Sequence, residues 1–145
     1  STLTADELDR HYQINIRATT LLSIQFARHF DGKTGGSIVN ITSGQALGPM
    51  PGELAYATTK GGVDALTLTL SAELAPLGIT VNAVNPGPTN TGWMTEELKA
   101  ELLPKFPFGR IGGPNDAARI VRFLVSPEAR WITGQIIHSE GGFMR

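Results

Sequence analysis

Tyr56 and Lys60 stand four residues apart in a segment with helical periodicity, so their side chains share one face of a helix. A phenol normally titrates near 10, which is too high for ready proton exchange at neutral pH. An ammonium group about 4 Å away would lower a phenol's pKa by up to about 3 units, before desolvation reduces the effect. The pair therefore predicts a general acid or base with Tyr56 as the proton-transfer residue. A solvated helix pair is the alternative that this spacing leaves open.

Two further polar residues, Ser43 and Asn15, stand where a polar side chain has a chemical use. Ser43 ends a β-branched segment, and open α/β sheets place their chemistry at the carboxyl ends of strands. A strand-end cap is the alternative interpretation. Asn15 interrupts an apolar helical pattern, where asparagine is unfavourable and costly to bury without a partner. It is therefore either a functional group or a satisfied polar kink.

The elements that must position these residues follow from apolar periodicity and turn signals. Helices are predicted at about 4–30, 53–77, 96–103 and 115–124, and short β-branched strands at 37–43, 79–85 and 135–138. Helices that alternate with buried strands predict an α/β fold with a parallel sheet. Because three parallel strands make a poor independent sheet, residues 1–145 are predicted to be one piece of a larger domain.

Composition excludes several classes of function. The net charge is −1 and the basic residues are scattered, which argues against nucleic acid or an anionic membrane as a partner. No apolar run is long enough to span a bilayer. The chain has no cysteine, which excludes a disulfide framework and thiolate metal sites. We therefore predict a cytoplasmic protein without a metal site.

Several motifs in order give a more specific indication than any single pair. Asn15, then Asn40-Ile41-Thr42-Ser43, then Tyr56-Ala57-Thr58-Thr59-Lys60 resemble the Asn-Ser-Tyr-Lys tetrad of the short-chain dehydrogenase/reductase family. The segment Asn82-Ala83-Val84-Asn85-Pro86-Gly87 is similar to that family's strand and Pro-Gly turn. Four later segments resemble the C-terminal signature of the same family: Arg110-Ile111-Gly112-Gly113-Pro114, Phe123-Leu124-Val125-Ser126, Ile132-Thr133-Gly134-Gln135 and Gly141-Gly142. The resemblance covers essentially the whole chain.

The resemblance implies a doubly wound Rossmann fold, of which residues 1–145 would be the C-terminal, catalytic half. A glycine-rich turn from a strand into a helix, followed by a residue that selects NAD or NADP, is expected in the N-terminal half of such a domain. Neither feature is present in this sequence. The choice between NAD and NADP therefore stays open. We predict that this polypeptide needs the missing N-terminal half as a partner and alone binds no nicotinamide cofactor with useful affinity.

The resemblance also implies a role for each residue of the tetrad. Tyr56 would exchange a proton with the carbonyl or alcohol oxygen, and Lys60 would assist it and hold the nicotinamide ribose. Ser43 would hydrogen-bond the substrate oxygen. Asn15 would hold a water that relays protons toward Lys60. Hydride would come from NAD(P)H.

Further binding residues are implied around the tetrad. The expected cofactor loop includes Pro86, Gly87, Thr89 and Thr91; at Thr89 the family usually has an aliphatic residue, so only its backbone role is carried over. The expected substrate residues are Ser43, Gln45, Trp93 and Met94, the last two within a lid at about 92–108. Gly44 departs from the small non-glycine residue that often follows the serine, which would loosen substrate contact.

The predicted function is reduction of an apolar or 3-oxoacyl-type ketone, or the reverse oxidation, because the C-terminal motifs resemble 3-oxoacyl-carrier-protein reductases. A non-catalytic binding or assembly module is one alternative, although the intact Ser43, Tyr56 and Lys60 argue against it. An epimerase or dehydratase with the same tetrad is another. The first helix is apolar on two sides around residues 21–30, and the family usually pairs this helix and the tyrosine helix between subunits. A homodimer or homotetramer is therefore expected.

Overall fold

Three parallel strands with helices on both faces form the core of the chain, in a computed structural model that describes residues 2–145. The helices are α1 (Ala5–His11), α2 (Thr19–His29), α3 (Leu54–Leu74), α4 (Glu96–Leu102) and α5 (Pro114–Leu124). The strands are β1 (Gly36–Ile41), β2 (Ile79–Asn85) and β3 (Ile136–His138). Short 3-10 turns occupy Ala75–Leu77, Leu103–Lys105 and Pro127–Ala129. The predicted fold class is confirmed, with element boundaries that differ by at most three residues.

The predicted first helix is continuous from Ala5 to His29, but its middle is wider than an α-helix. It begins where the Thr4 hydroxyl accepts a hydrogen bond from the Glu7 amide at 3.2 Å. A π-helical segment, Tyr12–Ala18, joins α1 to α2. π segments often mark functional sites. The sequence pattern did not predict this segment, which contains Asn15.

The sheet has the order β1-β2-β3, and both neighbouring pairs run parallel. Every residue of the central strand β2 is buried. The strand predicted to reach Ser43 leaves the regular ladder after Ile41, and the Thr42 amide makes a last bond to the Val84 carbonyl at 2.9 Å. Ser43 therefore stands just beyond the sheet, at the carboxyl edge.

Alternate residues of β2 pack against different helices, as period-two geometry requires. Ile79 and Val81 join Leu70 and Leu74 of α3 in one apolar cluster, which α2 also contacts. Val84 packs in the opposite direction, in a second cluster with α5. The side of α3 that carries Leu70 and Leu74 thus faces the sheet. Burial on both faces fixes the register of β2, and with it the position of the turn that follows.

A helix that crosses a bilayer needs about 20 consecutive, predominantly apolar residues. None of the helices within residues 2–145 combines the length and the apolar character that a membrane span requires.

Candidate active site

The carboxyl edge of the sheet opens into a cleft of about 830 Å³. Ser43 reaches this cleft from the end of β1, and Pro86 and Gly87 reach it from the end of β2. Tyr56 enters from the first turn of α3. Three segments that are distant in sequence therefore converge on one cavity, at the position where parallel sheets place ligands.

Lys60 lies beside Tyr56, with its ammonium nitrogen 5.7 Å from the centre of the phenol ring. The same nitrogen donates a hydrogen bond to the Ile41 carbonyl at 2.8 Å. Burial lowers the pKa of Lys60, and the negative charge of Asp64 opposes that change. The ring of His11 meets the Tyr56 ring edge to face at 6.2 Å. These contacts hold the lysine between the end of β1 and the tyrosine.

Ser43 is nearly buried, with 7% of its surface exposed, yet it lines the cleft. Its hydroxyl is directed to the Met50 sulfur at 3.7 Å, on the loop that connects β1 to α3. A thioether is a weak acceptor. The serine hydroxyl can therefore exchange this contact for a stronger acceptor, such as a substrate oxygen.

Asn15 contacts the tyrosine helix without lining the cleft. Its side-chain amide donates to the Thr59 hydroxyl at 3.0 Å. That hydroxyl lies within hydrogen-bond distance of the carbonyls of Ala55 and Tyr56, at 2.9 and 3.1 Å. Asn15 thus joins the π-helical segment to the turn of α3 that carries Tyr56, and its side-chain amide has a hydrogen-bond partner there.

Gln45 lies outside the cleft lining, in a polar cluster below it. The Asp64 carboxylate accepts hydrogen bonds from the Gln45 amide and the Thr42 hydroxyl. The Gln45 carbonyl oxygen is buried and has no hydrogen-bond partner among residues 2–145. Because Asp64 also interacts with Lys60, this carboxylate links the lysine to the segment on both sides of Ser43.

The turn after β2 is fixed by its own side chains. The Asn85 side-chain oxygen accepts from the Gly87 amide at 2.9 Å, and Gly87 has a φ of 64° that glycine adopts readily. A Cβ at Gly87 would lie 2.5 Å from the Cβ of Glu140. The Thr89 hydroxyl lies within hydrogen-bond distance of the carbonyls of Pro86 and Gly87, at 3.3 and 3.1 Å, so it bonds back to the turn. Thr91 lines the cleft farther along.

The predicted lid begins at Gly92 and contains α4. Trp93 lines the cleft, is 61% exposed, and donates its indole N–H to the Thr89 carbonyl at 3.1 Å. Met94 is only 5% exposed and does not line the cleft. Gly92 and Gly109 both have positive φ values, which places a glycine at each end of this segment. The structure thus places Trp93 at the cleft and Met94 in the packing beneath it.

An ion pair after β3 was not predicted from the sequence. The Arg145 guanidinium donates to both oxygens of Glu140, at 2.9 and 2.7 Å, and stacks 5.6 Å from the Phe143 ring centre. The Asn85 amide also donates to Glu140, at 2.8 Å. Arg145 and Phe143 line the cleft. The available signal was the position of Glu140 just after a strand, at the chemical edge of the sheet.

The whole chain matches a known family. A family model described as Enoyl-(Acyl carrier protein) reductase matches residues 1–144. The chain belongs to the short-chain dehydrogenase/reductase family. This short-chain dehydrogenase/reductase is 63% identical over 145 residues to the uncharacterized oxidoreductase YjdA of Bacillus subtilis (strain 168). It is also 36% identical over 142 residues to the 3-oxoacyl-[acyl-carrier-protein] reductase FabG of Rickettsia felis.

The structural comparison agrees with the sequence comparison. A 3-ketoacyl-(acyl-carrier-protein) reductase from Brucella melitensis, solved as a complex with NADH, superposes with a TM-score of 0.89 at 34% identity. The match covers 97% of this chain and 59% of that structure. The match to YjdA covers 99% of this chain and 58% of YjdA, and the match to FabG covers 96% of this chain and 59% of FabG. The chain therefore spans somewhat more than half the length of the relatives it matches.

Proposed function

We propose that this chain is the catalytic part of an NAD(P)-dependent oxidoreductase that interconverts a carbonyl and an alcohol. The observation that carries the proposal is the convergence of Ser43, Tyr56 and the Pro86-Gly87 turn on one cleft, with Lys60 held beside the tyrosine. Ser43 would hydrogen-bond the substrate oxygen, and Tyr56 would donate its phenolic proton to that oxygen during reduction. Asn15 would hold a water that relays protons toward Lys60.

The residues on the cleft wall fit the nicotinamide end of a dinucleotide. Gly87 packs against Glu140 too closely for a side chain, and the Thr89 hydroxyl is already bonded to the turn, so the backbone groups of these two lining residues are available to a ligand. Tyr56, Lys60, Pro86, Gly87, Thr89 and Thr91 would hold the nicotinamide and its ribose. The bound cofactor supplies or accepts the hydride. We propose that a preceding dinucleotide-binding segment holds the rest of NAD or NADP, and we refer to both parts together as the complete enzyme.

The proposed substrate is a ketone with an apolar body, of the 3-oxoacyl type. Much of the cleft wall is apolar, including Met50, Trp93, Leu102 and Phe143. The segment of about 92–108 is proposed to act as a lid, because its glycine ends adopt backbone conformations that other residues avoid. A lid that covers the substrate excludes water from the reaction.

The test is Tyr56→Phe in the complete enzyme, which removes the phenolic proton and keeps the ring. We expect kcat to fall by roughly 10²- to 10⁴-fold, the range that general acid catalysis contributes. The dissociation constant of NAD(P)H should stay within about threefold of the original. The matched control is Tyr12→Phe, which alters the exposed tyrosine on the π-helical segment. Retained turnover in Tyr56→Phe would refute the proposed role.

A further inference from the structure

The guanidinium of Arg145 occupies space next to Ser43 that a side chain at position 44 would otherwise fill. A Cβ placed on Gly44 would lie 2.0 Å from an Nη atom of Arg145. A Cβ on Gly48 would lie 3.0 Å from the Cδ atom of the same arginine. The side chain therefore lies against the glycines of the loop between β1 and α3, directly after Ser43.

The Glu140–Arg145 pair presents its cationic end to the cleft. The Glu140 side chain is 9% exposed and lies outside the cleft lining, whereas the Arg145 side chain is 28% exposed and lines the cleft. Burial raises the pKa of Glu140, but hydrogen bonds from Arg145 and Asn85 outweigh that effect and hold the pKa below its usual value. The carboxylate thus stays charged and orients the arginine.

The arginine keeps donors for a ligand. A guanidinium has five N–H groups, and the two hydrogen bonds to Glu140 occupy two of them. Lys105 also lines the cleft, and the Met144 amide donates to its carbonyl at 2.9 Å. Glu53, at the start of α3, is the acidic residue among the lining positions of the described chain.

We infer that Arg145 recognises a carboxylate on the substrate, so that among 3-oxo compounds the free acid is preferred over its neutral ester. This inference rests on the proposed function. Gly44 directly follows Ser43, and Ser43, Gly44 and Arg145 line the same cleft, so a guanidinium in contact with Gly44 lies near the serine. An anion bound there would stand only a few bonds from a carbonyl oxygen held by Ser43. Arginine matches the planar, two-oxygen geometry of a carboxylate.

The experiment compares acetoacetate with its neutral ethyl ester as substrates of the complete enzyme. We expect Arg145→Met to lower the ratio of kcat/KM for the acid to that for the ester by about 10- to 100-fold, since a lost charged hydrogen bond has this magnitude. The ratio for Arg145→Lys should lie between those of the unsubstituted enzyme and Arg145→Met, because lysine keeps the positive charge but lacks the planar guanidinium. The matched control is Arg122→Met, an exposed arginine of α5 outside the cleft lining, which should leave the ratio unchanged.

A second variant tests the same contact from the opposite side. Gly44→Ala adds the Cβ that would displace the guanidinium, so it should lower the ratio in the same direction. In the double variant the two losses should not add, because both act on one contact.

Three outcomes would overturn the inference. An equal loss for acid and ester in Arg145→Met would assign the arginine a structural role. An unchanged kcat/KM for both compounds would show that it does not contact the substrate. A weaker dissociation constant for NAD(P)H without a change in the ratio would place it in cofactor binding. If the unsubstituted enzyme reduces neither compound, the result would instead count against the proposed function.

Discussion

At the scale of single residues, the contacts of Lys60 connect the charge beside Tyr56 to the segment that carries Ser43. Its ammonium is bonded to the Ile41 carbonyl and lies beside Tyr56, and burial lowers its pKa. Asp64 opposes this effect from one helical turn farther along α3. The same carboxylate accepts from Thr42 and Gln45, so one side chain adjusts the charge of the lysine and anchors the segment that carries Ser43.

We therefore predict that Asp64→Asn lowers the pKa of Lys60 further. The substitution removes the negative charge that favours the protonated amine and leaves the desolvation in place. The lysine should then lose its proton at a lower pH than in the unsubstituted protein. Titration of the Lys60 side chain by nitrogen-15 NMR measures this directly. Glu73→Gln, which changes an exposed acid on the same helix, is the control and should not shift the titration. An unchanged Lys60 titration in Asp64→Asn would show that the two charges do not interact.

At the scale of elements, the helical and strand segments could be predicted because their apolar periods are local in sequence. Ser43, Tyr56 and Lys60 are also close in sequence, so the order and spacing of their motifs were enough to predict that they lie near one another. The π-helical segment could not be predicted in this way, because the hydrogen-bond partner of Asn15 is Thr59, 44 residues away. Glu140 and Arg145 are only five residues apart, but their position at the cleft depends on the bond to Asn85, which spans 55 residues and exists only once β2 and β3 are paired. Contacts between distant elements follow from the fold, not from spacing.

The π-helical segment gives a prediction that separates two roles of Asn15. Both Asn15→Ala and Thr59→Val remove their shared hydrogen bond, which should cost roughly 1 kcal/mol of unfolding free energy in each case. If Asn15 also supports proton transfer, only Asn15→Ala should lower kcat, by about tenfold or more. Denaturant unfolding and steady-state kinetics on the complete enzyme give the two quantities. Equal kcat values for the two variants would leave Asn15 with the anchoring role alone.

At the scale of the whole molecule, large apolar side chains remain exposed on the helices that cover one face of the sheet. Leu22 of α2 is 71% exposed and Leu68 of α3 is 62% exposed. Ile14, on the π-helical segment, is 70% exposed. Apolar surface concentrated on neighbouring elements marks contact sites rather than free surface. We propose that these helices pair with those of a second copy in a homodimer or homotetramer.

This proposal predicts that Leu22→Glu shifts the complete enzyme toward the monomer. A charge buried at an apolar interface has no partner there, so association should weaken by at least tenfold. Sedimentation velocity over a range of protein concentrations measures the change. Leu77→Glu alters an equally apolar residue, 50% exposed, in the turn after α3, and should leave the assembly intact. A monomeric unsubstituted enzyme would contradict the proposal.

The sheet has the further property that β1 is paired with β2 along one side only, within residues 2–145. The described chain offers the Pro86-to-Thr91 wall for a nicotinamide. Within residues 2–145 the sequence has no G-x-G-x-x-G motif, the tight turn from a strand into a helix that binds a pyrophosphate. We predict that the isolated chain binds NAD(H) and NADP(H) with dissociation constants well above the micromolar range. Isothermal titration calorimetry measures this, with circular dichroism to verify that the chain is folded. The complete enzyme, titrated in parallel, should bind one of the two cofactors at micromolar concentrations. A micromolar dissociation constant for the isolated chain would show that the cleft alone supplies the binding energy, and would remove the reason for assigning the phosphate site to a preceding segment.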